Sequence, residues 1–285
     1  MRCTRAKRLC SSVALIAALV AGAAPHPTSA AISKGDELLM KIREVFRSHR
    51  PPPPYVSYTL VRRQDTLQGD PDLEWSYTYH IWCRSSDSAA LARKVYGGKI
   101  RGPLEFLRPT FNQALDPGPP TADVFERASL RPQGIDVAPT PGPTGIPATI
   151  GSVTSYGELE YHVIAINTEG SVLHLTVHPI RDPDRNRLRE IYADRKTFEL
   201  TKLVATDKLF IIPFEEIHPQ LYTMTMGSVN GVPVVTAIHA ATTDDYSDDG
   251  REIDYAFEDI KFPASLPDWY FDARTYAVHT PDAPL

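Results

Sequence analysis

Cysteine is scarce in this sequence: there are three, Cys3, Cys10 and Cys83, and the first two fall in an N-terminal stretch that reads as a removable leader. With Cys83 alone, a mature chain closes no internal disulfide, so its stability has to come from packing even in an oxidising compartment. The spacing-specific signatures of enzymes are missing too. There is no Gly-x-Ser-x-Gly elbow to expose a nucleophilic hydroxyl, no His-Glu-x-x-His, no glycine-rich phosphate loop and no Cys-x-x-Cys, so neither a catalytic group nor a cofactor is assigned. Positive charge is not in excess, since 30 Lys and Arg stand against 35 Asp and Glu for a net −5. Removing the basic leader makes that balance more negative, which disfavours a nucleic-acid partner. Beyond the leader no segment has the ~20 apolar residues that a membrane-crossing helix needs.

What is present begins with that leader. Arg2, Arg5, Lys7 and Arg8 precede the apolar run Val13–Ala24 and the small residues Thr28-Ser29-Ala30, the three parts of a cleavable export signal. The expected cut after Ala30 releases residues 31–285 as a single exported domain, periplasmic or, alternatively, secreted. Cys10 follows Arg8-Leu9 rather than small residues, which argues against a lipid-modified cysteine.

Between Lys34 and Arg47 the apolar residues Leu38, Leu39, Ile42, Val45 and Phe46 recur at helical spacing behind Ser33, a capping residue, and Pro51–Pro54 stops the helix. Strict alternation then follows. Trp75, Tyr77, Tyr79, Ile81 and Cys83 fall on one face of a strand, and Ser76, Thr78, His80 and Trp82 on the other,. Further strands are expected at Tyr55–Arg63, Ala89–Tyr96, Gly157–Ile166, Val172–His178, Arg187–Ala193, Phe198–Asp207, Tyr222–Val229, Val232–Thr242 and Ile253–Phe262. Turn residues at Asn167–Gly170, Asp194–Thr197 and Asn230-Gly231 join neighbours into an antiparallel meander. Residues 101–150 interrupt the rhythm with ten prolines and a short helical candidate at Leu104–Leu115. This stretch reads as a long insertion within the domain.

Several side-chain groupings have bland readings that outweigh chemical ones. His162, His174 and His178 lie in expected strands, and His174 and His178, four residues apart, are ~13 Å from each other, too far to share a metal. The acidic run Asp244, Asp245, Asp248, Asp249 lacks the closing acid of a calcium loop, because Ala256 stands at its twelfth position,. Glu158 and Glu160 share a strand face as solvent residues do. Arg185, Arg187 and Arg189 alternate among Asp182, Asp184 and Glu190 and read as a solvated hairpin flank. The aromatic face of Trp75, Tyr77, Tyr79 and Ile81 admits two readings, a dry β core or the lining of a half-wet cavity in which tyrosine hydroxyls find partners.

The segment Leu188-Arg189-Glu190-Ile191-Tyr192-Ala193-Asp194-Arg195-Lys196-Thr197-Phe198-Glu199-Leu200 resembles the strand-turn-strand signature of LolA-like periplasmic proteins, the outer-membrane lipoprotein carrier and sorting family. The stretch Ile253-Asp254-Tyr255-Ala256-Phe257-Glu258-Asp259-Ile260 with Leu266-Pro267-Asp268-Trp269-Tyr270-Phe271 is similar to that family's close. The resemblance implies a mainly β fold: a strongly curved, incompletely closed antiparallel β-barrel or sheet with an N-terminal helix and a helical or loop cover. It further implies a cavity for acyl chains, while the proline-rich insertion departs from it. The expected function is thus a non-enzymatic extracytoplasmic carrier or sensor. It would bind a lipid, an acylated protein or another apolar ligand against Trp75, Tyr77, Tyr79 and Ile81. The alternative is an envelope protein-interaction or regulatory module with a solid core, and a hydrolase with an unrecognised site stands third.

Overall fold

The apolar residues of the first helix are spaced to cover one stripe, and that stripe meets a sheet. The computed structural model describes residues 32–49, 51–66, 76–107, 118–127, 160–181, 183, 186–211, 216–242, 251–272, 274–275 and 278–279. Helix α1 spans Lys34–Ser48, and the Ser33 hydroxyl accepts the Asp36 N–H at 3.1 Å, capping it as expected,. The strands are β1 (Tyr55–Thr66), β2 (Tyr77–Arg84), β3 (Ala90–Tyr96), β4 (Lys99–Leu107), β5 (Tyr161–Glu169), β6 (Val172–Pro179), β7 (Leu188–Asp194), β8 (Leu200–Ile211), β9 (Glu216–Val229), β10 (Val232–Thr242) and β11 (Arg251–Lys261). A short helix α2 (Val124–Arg127) lies between β4 and β5, and a 3-10 turn, Asp268–Phe271, follows β11.

All eleven strands form one antiparallel sheet in the order β4-β3-β2-β1-β11-β10-β9-β8-β7-β6-β5. It is the curved, incompletely closed sheet the sequence implied. Two meanders, β1 to β4 and β5 to β11, are zipped together by the pairing of β1 with β11, with Val61 opposite Ala256. Hairpin turns fall where left-handed residues are available: Asn230 and Gly231 have φ of 53° and 76°, and Gly97 and Gly98 have 55° and 72°,. The Asp194 carboxylate holds its own turn by accepting the N–H groups of Lys196 and Thr197, both at 2.8 Å,. The turn expected over Asn167–Gly170 is shorter, because β5 continues to Glu169 and only Gly170 and Ser171 reverse the chain.

Alternation sorts the core. Val56, Tyr58 and Leu60 of β1, Ile81 and Cys83 of β2, Leu203 and Ala205 of β8, and Tyr255 and Phe257 of β11 all turn to one face. Leu39 and Ile42 of α1 and Val124 and Phe125 of α2 cover that face, each at 2% exposure or less. Phe46 meets Phe125 edge to face at 5.6 Å, and the Val235 N–H donates to the Pro120 carbonyl at 2.8 Å. Part of the proline-rich connection is therefore a packed cover. On the opposite face a second apolar cluster joins Trp82 and Leu91 to Tyr270 and Phe271.

Two expectations about the insertion change. Strand pairing runs on past Arg101, since β4 pairs with β3 through Leu107, and Leu104–Leu107 are extended rather than helical. Gly102 and Pro103 fall where the register of β4 with β3 shifts, between Arg93 and Val95, and β4 is an outermost strand, the two settings in which a sheet accommodates proline and glycine,. The acidic run at Asp244–Asp249, the leader, Glu158 and Arg185 lie outside the described residues.

Candidate functional site

The expected lining residues stand at one end of the core face. Trp75 lies outside the described residues. Tyr77, Tyr79 and Ile81 share that face as their alternation requires, with Ile81 buried and both tyrosines half-buried. The two phenol rings meet edge to face at 5.2 Å. Tyr79 donates to the Glu105 carboxylate at 3.1 Å, and burial together with the Glu105 charge pushes its phenol up to about 12.

Beside them is a residue that the sequence reading passed over. Arg62 continues the Val56, Tyr58, Leu60 alternation onto the core face and is buried there. Its guanidinium donates to the Tyr255 hydroxyl at 3.2 Å and to Gln64 Oε1 at 2.6 Å, and lies 5.6 Å from the centroid of the Tyr77 ring. The tyrosines thus solvate a buried cation, which is one way of meeting the cost of burying charge. Period-two spacing was the signal that places Arg62 inside.

The other distinctive feature is β5, which ends the sheet. Its first turn of contact is with α1. The Asp36 carboxylate, 6% exposed, accepts the Val163 backbone N–H at 2.9 Å, and its other oxygen lies 3.3 Å from His162 Nδ1. Burial raises the Asp36 pKa, but the hydrogen bonds from Val163, Ser33 and His162 outweigh it and hold the carboxyl below its usual range,. Gly35 lets the helix approach this closely, since a Cβ there would meet Val163 side-chain atoms at 2.7 Å. Arg43 adds an ion pair to Glu160 at 3.3 Å.

Past Val163 this support thins to the Ile166 side chain, whose Cδ1 lies 3.6 Å from where a Gly35 Cβ would sit. A bulge at Ile164 shifts the register between Val163 and Ala165,. Ile164 is 65% exposed and Ile166 41%, and residues 164–168 carry no charge and no proline. The paired positions alternate, so Ile166 and Thr168 turn their backbone N–H and C=O away from β6,.

The remaining candidates fall into structural roles. His174 stacks on Tyr192 with centroids 4.2 Å apart, while His162 pairs with His178 across β5 and β6. Among the described residues no group of three or more His, Cys, Asp or Glu is gathered to hold a metal. Arg187 is not the solvated flank expected of it: at 3% exposure it is buried, with its guanidinium 5.9 Å from the centre of the Tyr222 ring. Arg189 donates to the carbonyls of Asn186 and Leu188. No described helix is long and apolar enough to cross a membrane.

No family model matches the chain, and no curated protein matches it. Among solved structures, it is similar to MucB in a complex with the periplasmic part of MucA, at 11% identity and a TM-score of 0.19, over 81% of this chain and 95% of that one. The Pseudomonas aeruginosa MucA/MucB complex gives 12% identity and the same TM-score of 0.19, over 82% of this chain and 100% of that one. Likeness at that level of superposition decides nothing about function.

Proposed function

We propose that this chain is an extracytoplasmic protein-interaction module that captures an extended segment of another envelope protein by strand addition at β5. The observation that carries it is the edge from Ile164 to Glu169, which is uncharged through Thr168 and has no further described strand beside it, with Ile164 65% exposed. Long apolar edges are normally blunted by charge or proline, and one left open is a template for a further strand. The carrier reading competes for the other candidate surface. There, Leu39, Ile42, Val124 and Phe125 of the chain itself occupy the middle of the core face, where an acyl chain would lie, and this weighs toward the solid-core alternative.

The occupant fits a peptide segment better than a second copy. Six residues of strand give ~20 Å of edge, whereas a stable dimer takes ~800 Å² from each partner. Main-chain bonds to Ile166 and Thr168 would supply affinity, and Ile164 and Ile166 the choice of side chains.

The test is selection of displayed peptides on the purified protein, with hydrogen exchange of the complex. Selected peptides should slow exchange at Ile166 and Thr168 and lose binding at least tenfold on Thr168→Pro, a change that removes an outward N–H and leaves the β6 ladder intact. Protection elsewhere, or concentration-dependent dimerisation through β5 in place of peptide binding, would sink the proposal. N-terminal sequencing of the exported protein should begin at Ala31.

A further inference from the structure

The face of β2 turned away from the core contributes to a cleft of about 720 Å³, within the ~300–1,000 Å³ typical of ligand sites,. Its floor is β2, β1 and β11, and the hairpin of β3 and β4 forms one wall through Val95, Gly97, Gly98 and Ile100. The floor strands are interior to the sheet, so outside the bulge described next their main-chain groups face neighbouring strands. A ligand here is read by side chains, which separates this site from the β5 edge and makes it independent of the function proposed above.

A bulge shapes the cleft. Between Ser57 and Thr59 the register with β11 moves from Lys261 to Glu258, leaving one extra residue on β11, and Asp259 takes a left-handed φ of 51° there. Bulges re-aim side chains, and a non-glycine residue held at positive φ is a form of strain that concentrates at functional sites. Glu258, Asp259 and Lys261 all line the cleft as a result. Facing them, Thr59 Oγ1 is 3.1 Å from His80 Nδ1, and the His80 ring meets Trp82 edge on at 4.5 Å. Burial and the Lys261 charge lower the His80 pKa against the opposing pull of Asp259, so the imidazole is neutral at pH 7, with one nitrogen donating and one accepting,.

We infer that this cleft binds a neutral, hydroxyl-rich ligand, an oligosaccharide. Ser57, Thr59 and Thr78 offer hydroxyls that donate and accept alike, as sugar hydroxyls do,. Two carboxylates against one ammonium give no net attraction for an anion, and the polar floor does not suit an acyl chain. The open rim at Gly97 and Gly98, where a Cβ would meet nothing within 4 Å, leaves room for a chain of rings to leave the cleft.

The experiment is an NMR titration of the purified protein, following the His80 imidazole signals with maltotetraose, cellotetraose and chitotetraose, and with tetralysine as a cationic probe. At least one oligosaccharide should shift His80 saturably. Asp259→Asn, which tolerates the left-handed backbone, and Thr59→Val should each weaken that binding tenfold or more with the melting temperature unchanged. No shift with any of the three sugars, a shift with tetralysine alone, or sugar binding untouched in both folded variants would overturn the inference.

Discussion

The carboxylate of Asp36, in the first turn of α1, accepts the backbone N–H of Val163 at 2.9 Å, so the first helix fastens the strand at the far end of the sheet order. That bond depends on ionisation. A carboxyl whose folded pKa lies below its unfolded value of ~3.9 stabilises the fold above that pH, and the contribution disappears as pH falls through the folded value. Denaturant melts of the wild type should therefore lose stability below about pH 4, with a weaker loss in Asp36→Asn. Asp36→Ala, which strands the Val163 N–H, should cost roughly 1–3 kcal/mol at pH 7.

Gly35 lies one residue away and is required for space. Gly35→Ala should destabilise by about 1–3 kcal/mol, because Val163 is β-branched and cannot swing aside. Paired with Val163→Ala, the loss should shrink, and a double-mutant cycle reads the coupling. Strictly additive losses would show that the contact is not the cause.

Cys83 is fully buried, and burial first, then the Asp87 charge, pushes its thiol up to about 12. Iodoacetamide at pH 8 should leave the native protein unlabelled while modifying it rapidly in denaturant, since the thiolate is the reactive form. The slow native rate then reports opening of the sheet around β2. Leu39→Ala, expected to cost about 2–5 kcal/mol, should accelerate it.

The raised pKa of Tyr79 has a signature at high pH. A group whose folded pKa exceeds its unfolded value near 10 contributes stability below pH ~10, which is lost as pH rises through about 12,. Ultraviolet titration should show late-ionising phenols, and Tyr79→Phe should remove one of them. Tyr192, held up to about 12 by burial and by its hydrogen bond to Glu190, should account for another.

The sequence made the strands legible wherever alternation was uninterrupted, as at Tyr77–Cys83 and Ile253–Phe257, and wherever a turn needed positive φ, as at Asn230-Gly231. It hid β4, because Gly102 and Pro103 look like strand breakers until the strand is known to be outermost. Arg62 was hidden by its charge, although its spacing placed it inside. Neither the exposed flank of β5 nor the cleft at His80 is a local property. The first depends on β5 having β6 as its one described neighbour in the sheet, and the second on β1 meeting β11 at long range.

That pairing also orders assembly in time. β2, β3 and β4 can join β1 as soon as they are made, whereas the other flank of β1 waits for β11, almost the whole chain later. Until then β1 and, in turn, β10 are long unpaired borders, the slow and aggregation-exposed stage of a fold rich in distant contacts. Removing β11 altogether would return the molecule to that stage, turning a sheet with two ends into two sheets with four.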